Sequence, residues 1–366
     1  MRFSCTKENL LYAVSTAERF AGKNVSLPIL SNILLETDDN VLFATATNLE
    51  YAVKIKIPGK AEKKGKISVP AKVISSLIQS IKDDRVNLEE KQSSLLIKTD
   101  TKDTKINGVG TEDFPILPKI KKAVTLSVLT ADFKRGLDVV LPSVSQSEFK
   151  PELTGVLFRI SGNTLKLAAT DTFRLAEKTL ALQERYSGDA CSFIVPYRVA
   201  QELVRLGEED DEEAEIAFGD NQLVYSTGHT TVISRTIEGS FPEYGSIVPK
   251  SFETECYIPR EEFIDAVKAG SIFSSRLQDI TIAFSPKEAE ITSANQEVGE
   301  YKTKIPVSGR GRQVKASFNY RFLLDGLSAL EDDEIFFGCN TEQGPSLLQN
   351  KSGGSFFYVL MPIRTS

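Results

Sequence analysis

ISVPAKVISSLIQSI, residues Ile67–Ile81, reads as a short apolar strand running straight into a helix. Val73, Ile74, Leu77, Ile78 and Ile81 recur at the i, i+3/i+4 spacing of one buried helix face. Pro70 suits the first helical position, where a missing N–H costs no intrahelical bond. The same phrase returns 126 residues later as FIVPYRVAQELVRL, Phe193–Leu206, and again within Ala316–Leu330, where Asn319 stands in the place of the proline. One unit is written three times.

Working outward, each strand–helix phrase is preceded by a first helix and a hairpin. Lys7–Phe20, with Thr6 as N-cap, precedes NILLETDDNVLFATAT, whose turn is Asp38–Asn40. Thr130–Leu141 precedes GVLFRISGNTLKLAAT, and IPREEFIDAVKAG precedes DITIAFSPKEAEITSAN. Thr47, Thr170 and Ser293 fall 123 residues apart and are expected to be equivalent. Lys60, Lys63, Lys64 and Lys66 read as a basic loop, and Gly309 and Gly311 in SGRGRQ as a loop tip. A period this long makes each unit a domain rather than a stacked repeat. The expected domains are 1–120, 125–250 and 252–366. Each offers two amphipathic helices and about eight strands. Two helices cannot cover both faces of such a sheet, so they are expected side by side on one face of antiparallel sheet, an α+β class.

With 366 residues, 41% apolar and 26% charged, the chain has the composition of a globular protein. No apolar run reaches a membrane span and MRFSCTKENLLY lacks a signal layout, so a cytoplasmic location is expected. Cys5, Cys191, Cys256 and Cys339 are scattered, which reads as free thiols. The net charge is −6, but the six helix windows together carry +2 and the remainder −8. That mild segregation of sign leaves room for a weakly basic surface on an acidic protein.

Catalytic and cofactor constellations are missing. His229, the only histidine, sits in a Gly-His-Thr turn, and neither a metal site nor a phosphate loop is readable. The acidic run at 207–215 reads as a solvated loop. Asp171 and Arg174 in ATDTFRL can pair, but no third group completes a catalytic set. No catalytic residue, metal or cofactor is expected. A repeat scaffold that binds only proteins is one class that such a pattern allows.

LPIL at Leu27–Leu30, ATDTFRLAE at 169–177, SFPEY at 240–244 and YVLMPIR at 358–364, set in the triplicated unit, resemble the bacterial DNA polymerase III beta sliding clamp family from end to end. The resemblance implies a DNA clamp fold of three similar domains that closes a ring as a homodimer. It implies a processivity factor that encircles double-stranded DNA without reading sequence, binds DNA polymerases and the clamp loader through short clamp-binding peptides, and has no active site.

Residue by residue, the resemblance implies a peptide-binding cleft between the second and third domains. Its second-domain residues are Leu153, Thr170, Thr172, Phe173, Arg174 and Leu175, followed by Pro242 and Ile247. Its third-domain residues are Asn319, Phe322 and Pro345 and the tail Val359, Leu360, Met361, Pro362, Ile363 and Arg364. Arg174 is expected to bond peptide polar groups at the rim. Family members usually carry Gly-His at Thr172–Phe173, Arg at Ser246 and Leu at Thr365. Lys23, Asn24 and Lys150 would face the DNA; Arg19, Lys72, Lys134, Arg198 and Arg205 join them from helix position alone. Ile272 and Phe273 would meet the edge strand around Lys105 and Ile106 of the partner subunit.

Overall fold

The computed structural model describes residues 1–22, 27–118, 121, 123–206 and 213–364. The first repeat runs β1 (Arg2–Thr6), α1 (Lys7–Phe20), β2 (Asn32–Asp38), β3 (Val41–Thr47), β4 (Tyr51–Pro58) and β5 (Lys60–Lys63). It continues with β6 (Gly65–Pro70), α2 (Ala71–Ser80), β7 (Arg85–Lys91), β8 (Ser94–Lys98) and β9 (Asp103–Asn107). The second runs β10 (Val124–Leu129), α3 (Thr130–Val140), β11 (Gly155–Ser161), β12 (Thr164–Thr170), β13 (Arg174–Ala181) and β14 (Cys191–Pro196). It ends with α4 (Tyr197–Arg205), β15 (Glu213–Gly219), β16 (Gln222–Ser226) and β17 (Thr230–Arg235). The third runs β18 (Thr254–Pro259), α5 (Arg260–Ser271), β19 (Asp279–Phe284), β20 (Glu288–Asn295), β21 (Gly299–Pro306) and β22 (Ser308–Gly311). It closes with β23 (Val314–Asn319), α6 (Tyr320–Ser328), β24 (Glu334–Cys339), β25 (Ser346–Asn350) and β26 (Phe356–Leu360).

Every pairing is antiparallel, in sheets of five (β5-β1-β7-β8-β9), eight (β10-β15-β16-β17-β4-β3-β2-β6), nine (β14-β11-β12-β13-β26-β25-β24-β18-β22) and four strands (β21-β20-β19-β23). The eight- and nine-stranded sheets each join two repeats. At the first seam β4 pairs with β17, Ala52 opposite Ile233. At the second β13 pairs with β26, Leu175 opposite Val359. The chain accordingly forms two compact units, Met1–Ala131 with Arg205–Thr236, and Asp132–Val204 with Ile237–Ser366. The second repeat contributes half of itself to each.

Helix α1 lies beside α2, and α5 beside α6. Thr6 caps α1, its hydroxyl accepting the Asn9 N–H. Leu10, Val14 and Phe20 are buried beneath α1 and Ile74 and Ile78 beneath α2. In the second unit Phe337 stacks on Phe284 at 4.4 Å and meets Phe318 and Phe263 edge-on. Each fully buried phenyl contributes about 2 kcal/mol by area.

Several local expectations are corrected. The basic stretch from Lys60 is a strand, not a loop, with Phe3 opposite Ala61. SGRGRQ likewise supplies β22, in which Gly309 lies opposite Cys256. Gly309 is required there, because a Cβ would run into the Glu255 carbonyl. Both edge strands escaped the sequence reading because their side chains are mostly exposed and show no alternation. Pro70 is the N-cap of α2 rather than its first helical residue, and closes β6 in extended conformation. Val73 is 50% exposed and Leu77 half-buried, so the buried face of α2 is narrower than its apolar spacing. Asn319 caps α6 with its own side-chain oxygen, accepting from Arg321 and Phe322 N–H. Ser293 is not equivalent to Thr47 and Thr170. Asn48, Asp171 and Asn295 each receive the N–H two residues on, and this aligns Ser293 with Ala46 and Ala169.

Candidate functional site

The second unit brings the expected cleft residues together around the β13·β26 seam. Thr170 ends β12, and its hydroxyl donates to the Arg174 carbonyl at 2.7 Å. Asp171 Oδ1 accepts the Phe173 and Arg174 N–H groups, both at 3.0 Å. Thr172 is left-handed at φ 78°. The turn thus closed holds the Phe173 carbonyl to the Met361 N–H at 2.8 Å. The tail continues past Met361, and the Ile363 N–H donates to the Ser317 carbonyl at the outer strand of the four-stranded sheet. Five of the expected cleft residues are buried and so differ in standing from the rest. Leu153, Leu175, Val359 and Leu360 are buried, the first three within one cluster with Phe241, Tyr244 and Leu347. They are the floor. Thr172, Phe173, Pro242, Ile247 and Arg364 are exposed above it, and Thr170, Phe322, Pro345, Met361 and Ile363 are half-buried; Pro362 is buried.

Arg174 is not a free rim donor. Its guanidinium bonds Asp171 at 2.8 Å and Asp325 at 2.5 Å and lies 4.0 Å over the Phe322 ring. Burial works against its charge, but the Tyr358 phenol, Asp171 and Asp325 outweigh that and raise its pKa. It ties the turn to α6. Asn319 is similarly committed, through its carbonyl oxygen, to capping. Beneath the cleft the Tyr244 hydroxyl donates to buried Glu177 at 2.6 Å, and Glu177 accepts from Lys166 at 2.9 Å. Burial, then Glu177, pushes the Tyr244 phenol up. Sequence reading missed Glu177 and Asp325, whose only signal was a charge within otherwise apolar strand and helix phrases.

The first unit carries a related site at the β4·β17 seam, a pocket of about 200 Å³ lined by Thr47, Leu49, Tyr51, Pro115, Ile116 and Arg235 among others. Of the expected DNA-facing residues, Lys72 on α2, Arg198 and Arg205 on α4 and Lys150 beside 99%-exposed Phe149 are exposed; Lys134 on α3 is half-buried. Arg19 folds back on its own helix, reaching the Ser15 carbonyl and Thr16 hydroxyl. Lys23, Asn24 and Thr365 lie outside the described residues, as does 207–212 of the acidic run.

Of the expected interface residues, Ile272 is 67% exposed and Phe273 stacks on Tyr301 at 6.2 Å. Lys105 is exposed, but Ile106 is only 5% exposed, packed under its own sheet, and offers no apolar surface. Among the described residues no group of three or more His, Cys, Asp or Glu side chains is arranged to hold a metal ion. Burial raises the thiols of Cys5 and Cys339 to about 12 and of Cys256 to about 11, leaving them protonated and inert at neutral pH.

Three segments match the DNA polymerase III beta subunit: residues 1–118 its N-terminal domain, 127–243 its central domain and 245–364 its C-terminal domain. The chain belongs to the DNA polymerase III beta subunit family. The beta sliding clamp of Chlamydia muridarum is 24% identical over 368 residues, covering 100% of this chain and 99% of that one. The beta sliding clamp of Staphylococcus epidermidis is 26% identical over 380 residues, covering 100% of both. A sliding clamp structure from Pseudomonas aeruginosa, bound to griselimycin, superposes with a TM-score of 0.95 at 26% identity over 100% of both chains. The Bacillus subtilis clamp shares the fold at a TM-score of 0.94 and 23% identity, also over 100% of both chains. DNA polymerase III beta subunits are non-catalytic processivity factors, which agrees with a site built of strand edges and apolar floor. No helix among the described residues is long and apolar enough to cross a membrane.

Proposed function

We propose that this chain is a cytoplasmic DNA sliding clamp that closes a ring as a head-to-tail homodimer, encircles duplex DNA and tethers replicative and repair polymerases through its cleft. The observation that carries the reading is the pair of strand edges left over by the repeat. At each internal seam the last strand of one repeat joins the third hairpin strand of another, β17 to β4 and β26 to β13. Among the described residues the equivalent β9 and β21 have no such partner; each is the outer strand of its sheet. A second copy supplies both, joining five strands to four.

The register of the two seams transfers to this third one. Bonds from Thr99 to Lys102 and from Gly108 to Ser93 turn the backbone groups of Asp103, Lys105 and Asn107 outward. Bonds from Val298 to Asn295 and from Val307 to Lys287 do the same for Glu300 and Lys302. Ala52–Ile233 and Leu175–Val359 correspond to Glu300–Lys105, which sets Lys302 opposite Asp103. Opposite charges thus face each other twice. Ile272, Phe273 and Tyr301 flank this edge.

Exposed Lys72, Arg198 and Arg205 suit weak, sequence-independent phosphate contact, since a sliding ring is hindered by strong contacts at fixed positions. The deciding experiment is retention on nicked circular DNA and its loss on linearisation, after loading. Equal loss from both forms would leave a protein-binding scaffold as the better reading.

A further inference from the structure

The two internal seams are built alike, and their side chains differ around one hollow. Ala52 opposite Ile233 stands where the second seam has Leu175 opposite Val359. Two steps out, the Glu50 carbonyl accepts the Arg235 N–H at 3.0 Å, as the Phe173 carbonyl accepts that of Met361 at 2.8 Å. Lys54 follows Ala52 by two residues on β4, as Glu177 follows Leu175 on β13. The first seam thus has alanine, arginine and lysine at the places of leucine, methionine and glutamate. Since the second seam forms with those residues, pairing of the strands requires none of the three.

Each change alters what the first seam can hold. Ala52 is buried, and its short side chain leaves space in the pocket of about 200 Å³ that a leucine there would occupy. That volume is below the roughly 300–1,000 Å³ of a cofactor or drug-sized ligand site and suits one large side chain. Leu49, 50% exposed, and Ile116, 96% exposed, are the apolar part of its lining that water still reaches. Side chains alternate across a strand, so Lys54 and Lys56 share the face of Ala52, and Arg235 that of Ile233. Arg235 and Lys56 are exposed; Lys54 is half-buried, its ammonium 4.1 Å over the Phe43 ring. Against these three cations the pocket lining holds one acid, Glu50.

We propose that the β4·β17 pocket is a second docking site, which takes an acidic protein segment through a single aromatic side chain. The anchor enters over Ala52 and Ile233, while flanking carboxylates meet Arg235 toward one end of the seam and Lys54 and Lys56 toward the other. Single-stranded DNA carries the same sign of charge but suits the site less. Among the described lining residues the one ring is Tyr51, half-buried and edge-on to Phe20 at 5.6 Å, so no exposed face is offered for a base to stack on. The pocket belongs to the first compact unit and the cleft to the second, so this site does not depend on the reading of the cleft.

Three fluorescein-labelled pentapeptides test this by fluorescence polarisation on the full-length protein: Gly-Asp-Phe-Asp-Asp, the same with alanine for phenylalanine, and the same with lysine for each aspartate. The unaltered protein should favour the first over each of the others by about tenfold or more. Ala52→Leu, which fills the floor as in the second seam, and Arg235→Met, which copies its rim, should each weaken the first peptide by about tenfold. Arg235 is exposed, so the second variant tests the site without disturbing buried packing. The apolar pentapeptide Gln-Ala-Ala-Leu-Phe probes the cleft, and both variants should bind it within about threefold of the unaltered protein. No preference for the acidic aromatic peptide, or a preference that survives both substitutions, would overturn the site. A short oligothymidylate that binds more tightly than this peptide and is weakened by the same variants would overturn the protein occupant.

Discussion

The guanidinium of Arg174 lies 4.0 Å from the centre of the Phe322 ring while bonded to Asp171 and Asp325, so one side chain joins a β-turn to a helix residue 151 positions on. Arg174→Ala should destabilise the chain by about 2–4 kcal/mol, because two carboxylates lose their counter-charge in a partly buried setting. Arg174→Lys should recover less than half, since an ammonium cannot fork to both acids and cover the ring. Urea unfolding of the three proteins checks this.

The register inferred for the ring seam makes a charge-swap test available. Lys105→Glu alone, or Glu300→Lys alone, should weaken the dimer, and the two together should restore it. Ile272→Ala with Phe273→Ala removes apolar contact worth about 3–6 kcal/mol per seam and should give monomers. Sedimentation at low protein concentration is the readout. A double charge variant no better than either single one would refute the pairing.

Removing the tail from Met361 onward should lower affinity for the Leu-Phe peptide by about thirtyfold, roughly 2 kcal/mol. It also frees the Phe173 and Ser317 carbonyls from their donors. The dimer mass should be unchanged, because β9 and β21 are untouched. Peptide titration and light scattering together separate the two effects.

Binding to a short linear duplex should be weak and should fall steeply between 50 and 200 mM salt, on the order of tenfold or more for a few phosphate contacts. Lys72→Glu with Arg198→Glu should impair loading onto circular DNA without dissociating the ring. Salt-insensitive binding to one preferred sequence would contradict the sliding mode.

The buried thiols give a pH prediction. Cys5, Cys256 and Cys339 have folded pKa values raised by burial from 9.0 to about 12, 11 and 12. Below pH 9 both states hold these protons and stability is unaffected. Above it the unfolded chain releases protons that the folded chain retains, so stability should fall as pH rises from 9 toward 12. Urea midpoints over that range test it, and at pH 8 Ellman's reagent should label half-buried Cys191 first.

The triplicated strand–helix phrase was legible because burial imposes a period on sequence: Ile74 and Ile78, or Leu10 and Val14, must recur to face a core. The edge strands β5 and β22 were illegible for the complementary reason, as their bonds are made by backbone and their side chains mostly face water. The alignment of Ser293 failed because the third repeat has gained one residue ahead of its hairpin: Leu34, Leu157 and Thr281 hold equivalent places in their sheets, and a fixed spacing of 123 cannot register the extra residue. In the cleft, the apolar tail residues were readable as a group. The capture of Arg174 by Asp325 was not, since nothing local links positions so far apart.

The sharing of the second repeat between two sheets has a consequence for anyone who would dissect this protein. Repetition marks where the chain was copied, but cooperativity follows the sheets, and the two partitions disagree. An excised fragment 125–250 would carry two raw edges, β17 stripped of β4 and β13 stripped of β26, each a template for adventitious association. Both units are discontinuous, Met1–Ala131 with Arg205–Thr236 and Asp132–Val204 with Ile237–Ser366, so no contiguous fragment holds one unit whole without part of the other.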